Sequence, residues 1–128
     1  MTFSLVVRSD SSFGMVVCSS SPAVAARCVH LRAGIGAVAS QNVTNPGLGA
    51  VALDALAAGA DATVALDKTI AGEAHADYRQ VIVVDAAGGT AIHTGANALG
   101  TRHEKRTENA AAAGNMLARA NVIDALLD

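Results

Sequence analysis

Residues 81–84 read Val-Ile-Val-Val, and the segment around them, YRQVIVVDAAGGTAIHTG, reads as a strand, a Gly-Gly turn and a second strand. A strand that is apolar at successive positions has no face to offer water, so it belongs at the centre of a sheet with a layer packed on each side. With helices elsewhere in the chain, that requirement is compatible with a layered α+β domain. The layers have to be close together. Hydrophobic residues make up 52% of the 128-residue chain but aromatics only 2%, with no Trp, so Ala, Val, Leu and Ile build the core. A chain of this length is one domain, 1–128.

The remaining elements follow from period and punctuation. Residues 2–8 alternate, with Phe3, Leu5 and Val7 on one face and Thr2, Ser4, Val6 and Arg8 on the other, as in a strand. A polar turn at Ser9-Asp10-Ser11-Ser12 and a second strand from Met15 to Cys18 complete a hairpin, whose open end sets Ser19 beside Thr2. The next stretch, SSSPAVAARCVHLR, is compatible with a helix start at Ser21-Pro22 and equally with an extended Cys28–Arg32. AGIGAVASQ is β-like, and its glycines do not open a helix as a dinucleotide fingerprint requires. Asn45-Pro46 starts a helix with Leu48, Val51, Ala52, Ala55 and Leu56 on one face, ending at Gly59. A second helix runs from Asp61 to Gly72 with Leu66 and Ile70 buried. Asn121 caps a last helix, NVIDALLD, whose Leu126 and Leu127 need cover that a further C-terminal part or another chain would supply.

Several partner classes drop out. A formal charge of −2 with scattered Lys and Arg gives no footprint for nucleic acid or an anionic membrane. No apolar run is long enough to span a bilayer, and no secretory leader is recognisable, so a cytoplasmic address is expected. Cys18 and Cys28 read as small buried residues, and His30, His75, His93 and His103 lack metal-ligand spacing, so neither metal nor cofactor is expected.

The blocks MTFSLVVR, RAGIGAVASQNVTNPGLGAVALDALAAGA, YRQVIVVDAAGGTAIHTGANALG and AAAAGNML, in that order, resemble the domain-of-unknown-function 1028 (DUF1028) family. That family in turn resembles the N-terminal nucleophile (Ntn) hydrolases. The resemblance implies an αββα four-layer sandwich, incomplete at its C-terminus because family members continue past the GNML block. It also implies a hydrolase of a C–N bond in a small amide, ureide or cyclic amide. Thr101, Arg102, His103 and Ala113 depart from the family pattern, in which a Trp accompanies the His and a Gln precedes the GN pair.

The resemblance gives Thr2 a role. Once Met1 is excised, Thr2 carries a hydroxyl nucleophile and a free α-amine, whose ordinary pKa of about 7.7 to 8.0 suits a general base near neutrality. Ser19 is expected to hydrogen-bond that amine, and Arg32 or Arg79 to keep it deprotonated or to hold a substrate carboxylate. Oxyanion donors are sought among the amides of Gly34 to Gly36 and the side chains of Asn42, Asn45 and Asn115, each worth roughly 3 kcal/mol if well aimed. His103 is placed on the pocket wall. Two alternatives stand beside this: a catalytically silent, oligomeric small-ligand-binding module, and a hydrolase whose nucleophile lies on a second chain after self-cleavage. A homo-oligomer, or a second chain completing the fold, is the expected assembly.

Overall fold

The computed structural model describes residues 1–128. The opening alternation forms β1 (Thr2–Ser9) and β2 (Ser12–Ser19), paired in register Thr2 to Ser19 through Ser9 to Ser12. The ambiguous stretch divides between both of its readings. A single helical turn, α1 (Ala25–Cys28), runs directly into β3 (Val29–Arg32). After β4 (Gly36–Gln41) come α2 (Gly47–Ala57) and α3 (Ala62–Ala71), then a short 3-10 turn at Ala76–Tyr78. The apolar run is β5 (Gln80–Asp85), followed by β6 (Thr90–Thr94). A further hairpin, β7 (His103–Thr107) and β8 (Ala110–Asn115), and a short α4 (Asn121–Ala125) complete the chain.

The strands form two antiparallel sheets of four, ordered β2-β1-β8-β7 and β3-β4-β5-β6. In the second sheet, β4 and β5 are buried at every position. Their outward residues Val38, Val81 and Val83 meet Leu48, Ala52, Leu53, Leu56, Ala65 and Leu66 of α2 and α3. Their inward residues Ala37, Ala39, Ile82 and Val84 meet Val6, Ala111 and Ala113 of the first sheet. Four of those seven inner residues are alanines, so the two sheets pack closely, as the shortage of aromatics demands. The outer face of the first sheet carries Phe3 and Leu5 against Leu117, Ile123, Leu126 and Leu127.

Three local expectations shift. β1 is covered on both faces, with Ser4 and Val6 wholly buried toward the second sheet. On α2 the buried face runs through Leu48, Ala52, Leu53 and Leu56 while Val51 is 48% exposed, a rotation of the stripe by about one residue. Asn121 is the first residue of α4 and makes no cap, and Leu126 and Leu127 are partly covered by their own sheet. Asp61 does cap α3, accepting from the Val64 amide at 2.8 Å. Cys28 is buried whereas Cys18 is exposed, and both are free thiols. No helix is long and apolar enough to cross a membrane.

Candidate functional site

The strand register gathers the site. Thr2 opens β1, Ser19 ends β2 opposite it, and Asn115 ends β8 on its other side. Directly opposed residues of antiparallel strands point to the same face. Thr2 shares its parity with the buried Ser4 and Val6, so all three side chains face the space between the sheets at its open end. Thr2 Oγ1 lies 2.8 Å from Ser19 Oγ. Ser19 Oγ donates in turn to the Met1 carbonyl at 3.1 Å, which leaves the Thr2 hydroxyl to donate to Ser19.

The Met1 carbonyl is held by more than Ser19. It also accepts from the Ser20 amide at 3.0 Å and from Ser20 Oγ at 3.4 Å. Three donors thus surround an acyl oxygen two bonds away from the Thr2 nitrogen. The Met1 ammonium donates to Ser20 Oγ at 3.1 Å on the exposed rim. With Met1 in place the Thr2 nitrogen is a peptide nitrogen and cannot serve as a base.

Behind Thr2 a row of buried polar side chains crosses between the sheets. Ser4 Oγ donates to Gln41 Oε1 at 2.5 Å, and Gln41 Nε2 to Gln80 Oε1 at 2.8 Å and to the Ala113 carbonyl at 3.0 Å. Asn115 Nδ2 donates to the same Gln80 Oε1 at 3.1 Å, and Gln80 Nε2 reaches the Gly114 carbonyl at 3.1 Å. Each amide is fixed by its neighbour, which locks the Asn115 rotamer at the back of the site.

These groups open onto a cleft of about 280 Å3 lined by Thr2, Asn115, Asn42, Thr44, Arg27 and Cys28 among others. Apolar walls come from Val24, Val43, Leu99 and Met116. Three of the lining residues have left-handed backbone: Asn42 at φ 61, Val43 at φ 48 and Met116 at φ 49. For β-branched Val43 this is strained, and such strain persists only where surrounding bonds overdetermine it. Those bonds are present. Arg79 Nη1 donates to the Val43 carbonyl. Asn42 Nδ2 donates to the Tyr78 carbonyl at 2.5 Å, and its Oδ1 accepts from the Leu99 amide at 3.0 Å. Glu73 anchors the arrangement, receiving Asn45 Nδ2 at 2.7 Å, the His75 amide at 2.9 Å and Arg79 Nη2 at 3.3 Å. The Asn45 hydrogen bond, followed by that of the His75 amide and the charge of Arg79, holds the Glu73 carboxyl down at about 2.

The residues expected at the site therefore separate into groups. Thr2, Ser19 and Asn115 are brought together, and Asn42 lines the same cleft with its carboxamide already bonded at both ends. Asn45 and Arg79 stand behind the cleft wall as supports; Asn45 also accepts from the Gly47 amide at 3.0 Å. Arg32 and the Gly34–Gly36 turn lie at the opposite end of β4 from Asn42, about 17 Å along the strand at ~3.3 Å per residue. There Arg32 pairs with Asp54 at 2.9 Å. His103 is in register with Gly114, on the outer face of its sheet, and meets Asp124 at 3.2 Å. Neither of these two can reach Thr2.

Arg27 and Thr44 were not singled out in the sequence and Cys28 was read only as a small buried residue; the segment that carries Arg27 and Cys28 reads equally as helix or strand, and Thr44 lies in the loop after β4. Burial raises the Cys28 thiol pKa, against a Thr44 hydrogen bond and the Arg27 charge, which favours the protonated thiol.

The model of a family of unknown function, DUF1028, matches residues 2–128. The crystal structure of protein SPO2555 from Silicibacter pomeroyi, which carries the same family description, superposes with a TM-score of 0.93 at 23% sequence identity. The match covers 98% of this chain and 59% of that one, so the chain spans about three-fifths of that protein's length. No curated protein matches.

Proposed function

Because the chain belongs to the DUF1028 family, a family with no assigned activity, its chemistry has to come from the cleft, and we propose that it is an Ntn-type hydrolase. On this reading it opens a C–N bond in a small amide, ureide or cyclic amide, with Thr2 as nucleophile once Met1 is removed. The observation that carries it is the position of the Thr2 hydroxyl: inward-facing at the open end of the sandwich, 2.8 Å from Ser19 Oγ, with Asn115 as its strand partner. The layer order of helices, sheet, sheet and helix is the one that Ntn hydrolases use.

The freed Thr2 amine takes the Oγ1 proton as Oγ1 attacks the substrate carbonyl carbon, giving a tetrahedral oxyanion. The Ser20 amide and the Ser19 and Ser20 hydroxyls, which hold the Met1 carbonyl, become available to that oxyanion when Met1 leaves. The ammonium returns its proton to the departing nitrogen, the C–N bond breaks, and an ester to Thr2 remains. Water, deprotonated by the same amine, then releases the acid and restores the hydroxyl. The chain's own amine supplies the base, so Arg32 has no part in it.

The anchoring of Met1 by Ser19 and Ser20 favours one second reading, a ligand-binding module in which Met1 stays and the cleft only binds. Intact mass of native protein, followed by assay of Thr2→Ala on a panel of amides and hydantoins, separates the two. The hydrolase reading expects loss of one Met and a fall in turnover of at least about 10³-fold. A Thr2→Ala protein that still hydrolyses the panel sinks it.

A further inference from the structure

Resting on that hydrolase reading, we propose that Arg27 is the specificity-determining residue of the cleft and that the substrate is an amide or ureide bearing a carboxylate.

Arg27 lies in the last turn of α1 and lines the cleft together with Thr2 and Asn115. The one hydrogen bond of its guanidinium within the chain runs from Nη1 to the Pro22 carbonyl at 2.9 Å. That bond positions the guanidinium and leaves its other N–H groups uncommitted. No Asp or Glu lines the cleft, and Arg27 has no carboxylate partner anywhere in the chain. The other arginines with bonded guanidinium groups are committed within the fold: Arg8 on Asn109, Arg32 on Asp54, Arg79 on Glu73 and, from behind the cleft wall, on the Val43 carbonyl, Arg102 on the Ala96 and Ala98 carbonyls, and Arg106 on the Thr90 carbonyl.

An uncommitted guanidinium in a concave site without acidic residues selects an anion, and its planar fork matches a carboxylate bidentately. The size of the cleft, about 280 Å3, is at the low end for a ligand site and limits the ligand to a small molecule. Val24, Val43, Leu99 and Met116 supply apolar contact for a short aliphatic remainder. Arg27 and Thr2 thus grip two parts of one ligand, the carboxylate and the scissile carbonyl.

The test uses N-acetyl-L-alanine and its uncharged counterpart N-acetyl-L-alaninamide, titrated calorimetrically into full-length Thr2→Ala protein so that no turnover intervenes. Thr2→Ala is expected to bind the carboxylate at least about tenfold more tightly than the amide. Adding Arg27→Gln should abolish that preference, and Arg27→Lys should restore part of it. Equal affinity for the two probes overturns the proposal, as does an Arg27→Gln protein that keeps the preference. The hydrolase reading fails separately: a Thr2→Ala protein that remains active while discriminating between the probes removes Thr2 as nucleophile and leaves Arg27 as the carboxylate site.

Discussion

Glu73 makes no contact with the proposed chemistry, yet the cleft wall hangs from it. Its carboxylate ties Asn45 and Arg79 together, and Arg79 holds the strained carbonyl of Val43. Its folded pKa of about 2 lies below the ordinary 4.5, so folding favours the charged form. The corresponding stability is complete above about 4.5 and is lost as pH falls through about 2. Glu73→Gln should therefore melt below the wild type at pH 7, with the gap narrowing steadily between pH 4.5 and pH 2. Thermal unfolding of both proteins across that range checks it, and a gap independent of pH contradicts the assignment. Of the residues at the site, Thr2 and Ser19 were legible because a hairpin's register depends only on its turn. Asn115 came from the resemblance. Gln41 and Gln80 were hidden, because a glutamine at a strand end usually signals solvent, and only the second sheet reveals that these two face inward.

Among the elements, α2 rests on β3 through Gly49, where an added Cβ would overlap the His30 ring. The ring is itself tethered, with Nε2 3.1 Å from the Arg27 carbonyl, so it cannot swing aside freely. Gly49→Ala is expected to cost about 1–3 kcal/mol in denaturant unfolding despite the better helix propensity of Ala. Pairing it with His30→Ala should recover part of the loss, a coupling that a double-mutant cycle measures. The strands β4 to β6 and the helices α2 and α3 were legible from apolar period and punctuation, with the Asp61 cap confirming α3 while the stripe of α2 is turned by about one residue. The β7–β8 hairpin was not. Its AAAAGN strand is rich in the best helix former, yet it is extended between β1 and β7, with Ala111 and Ala113 packed against the second sheet where small side chains fit.

For the whole molecule, cover is unequal. β4 and β5 are buried along their full length between two helices and a second sheet, whereas α4 has five residues and one fully buried side chain, Ile123. Native-state hydrogen exchange should find the slowest amides in β4 and β5, opening only with global unfolding, and the fastest beyond Asn115. Protection that is uniform along the chain would contradict this hierarchy. That β5 is central and covered on both faces was visible from VIVV, but the pairing of first and last strands is a long-range closure that no local pattern encodes. On the proposed hydrolase reading, the carbonyl of Met1, held by Ser19 and Ser20, is a stopper seated in the space that reaction needs. Ageing of the protein into a working catalyst is, on that reading, a trimming event. Specific activity of any preparation should rise in proportion to the trimmed fraction measured by mass, and a tag fused directly ahead of Thr2 should keep the molecule folded and silent.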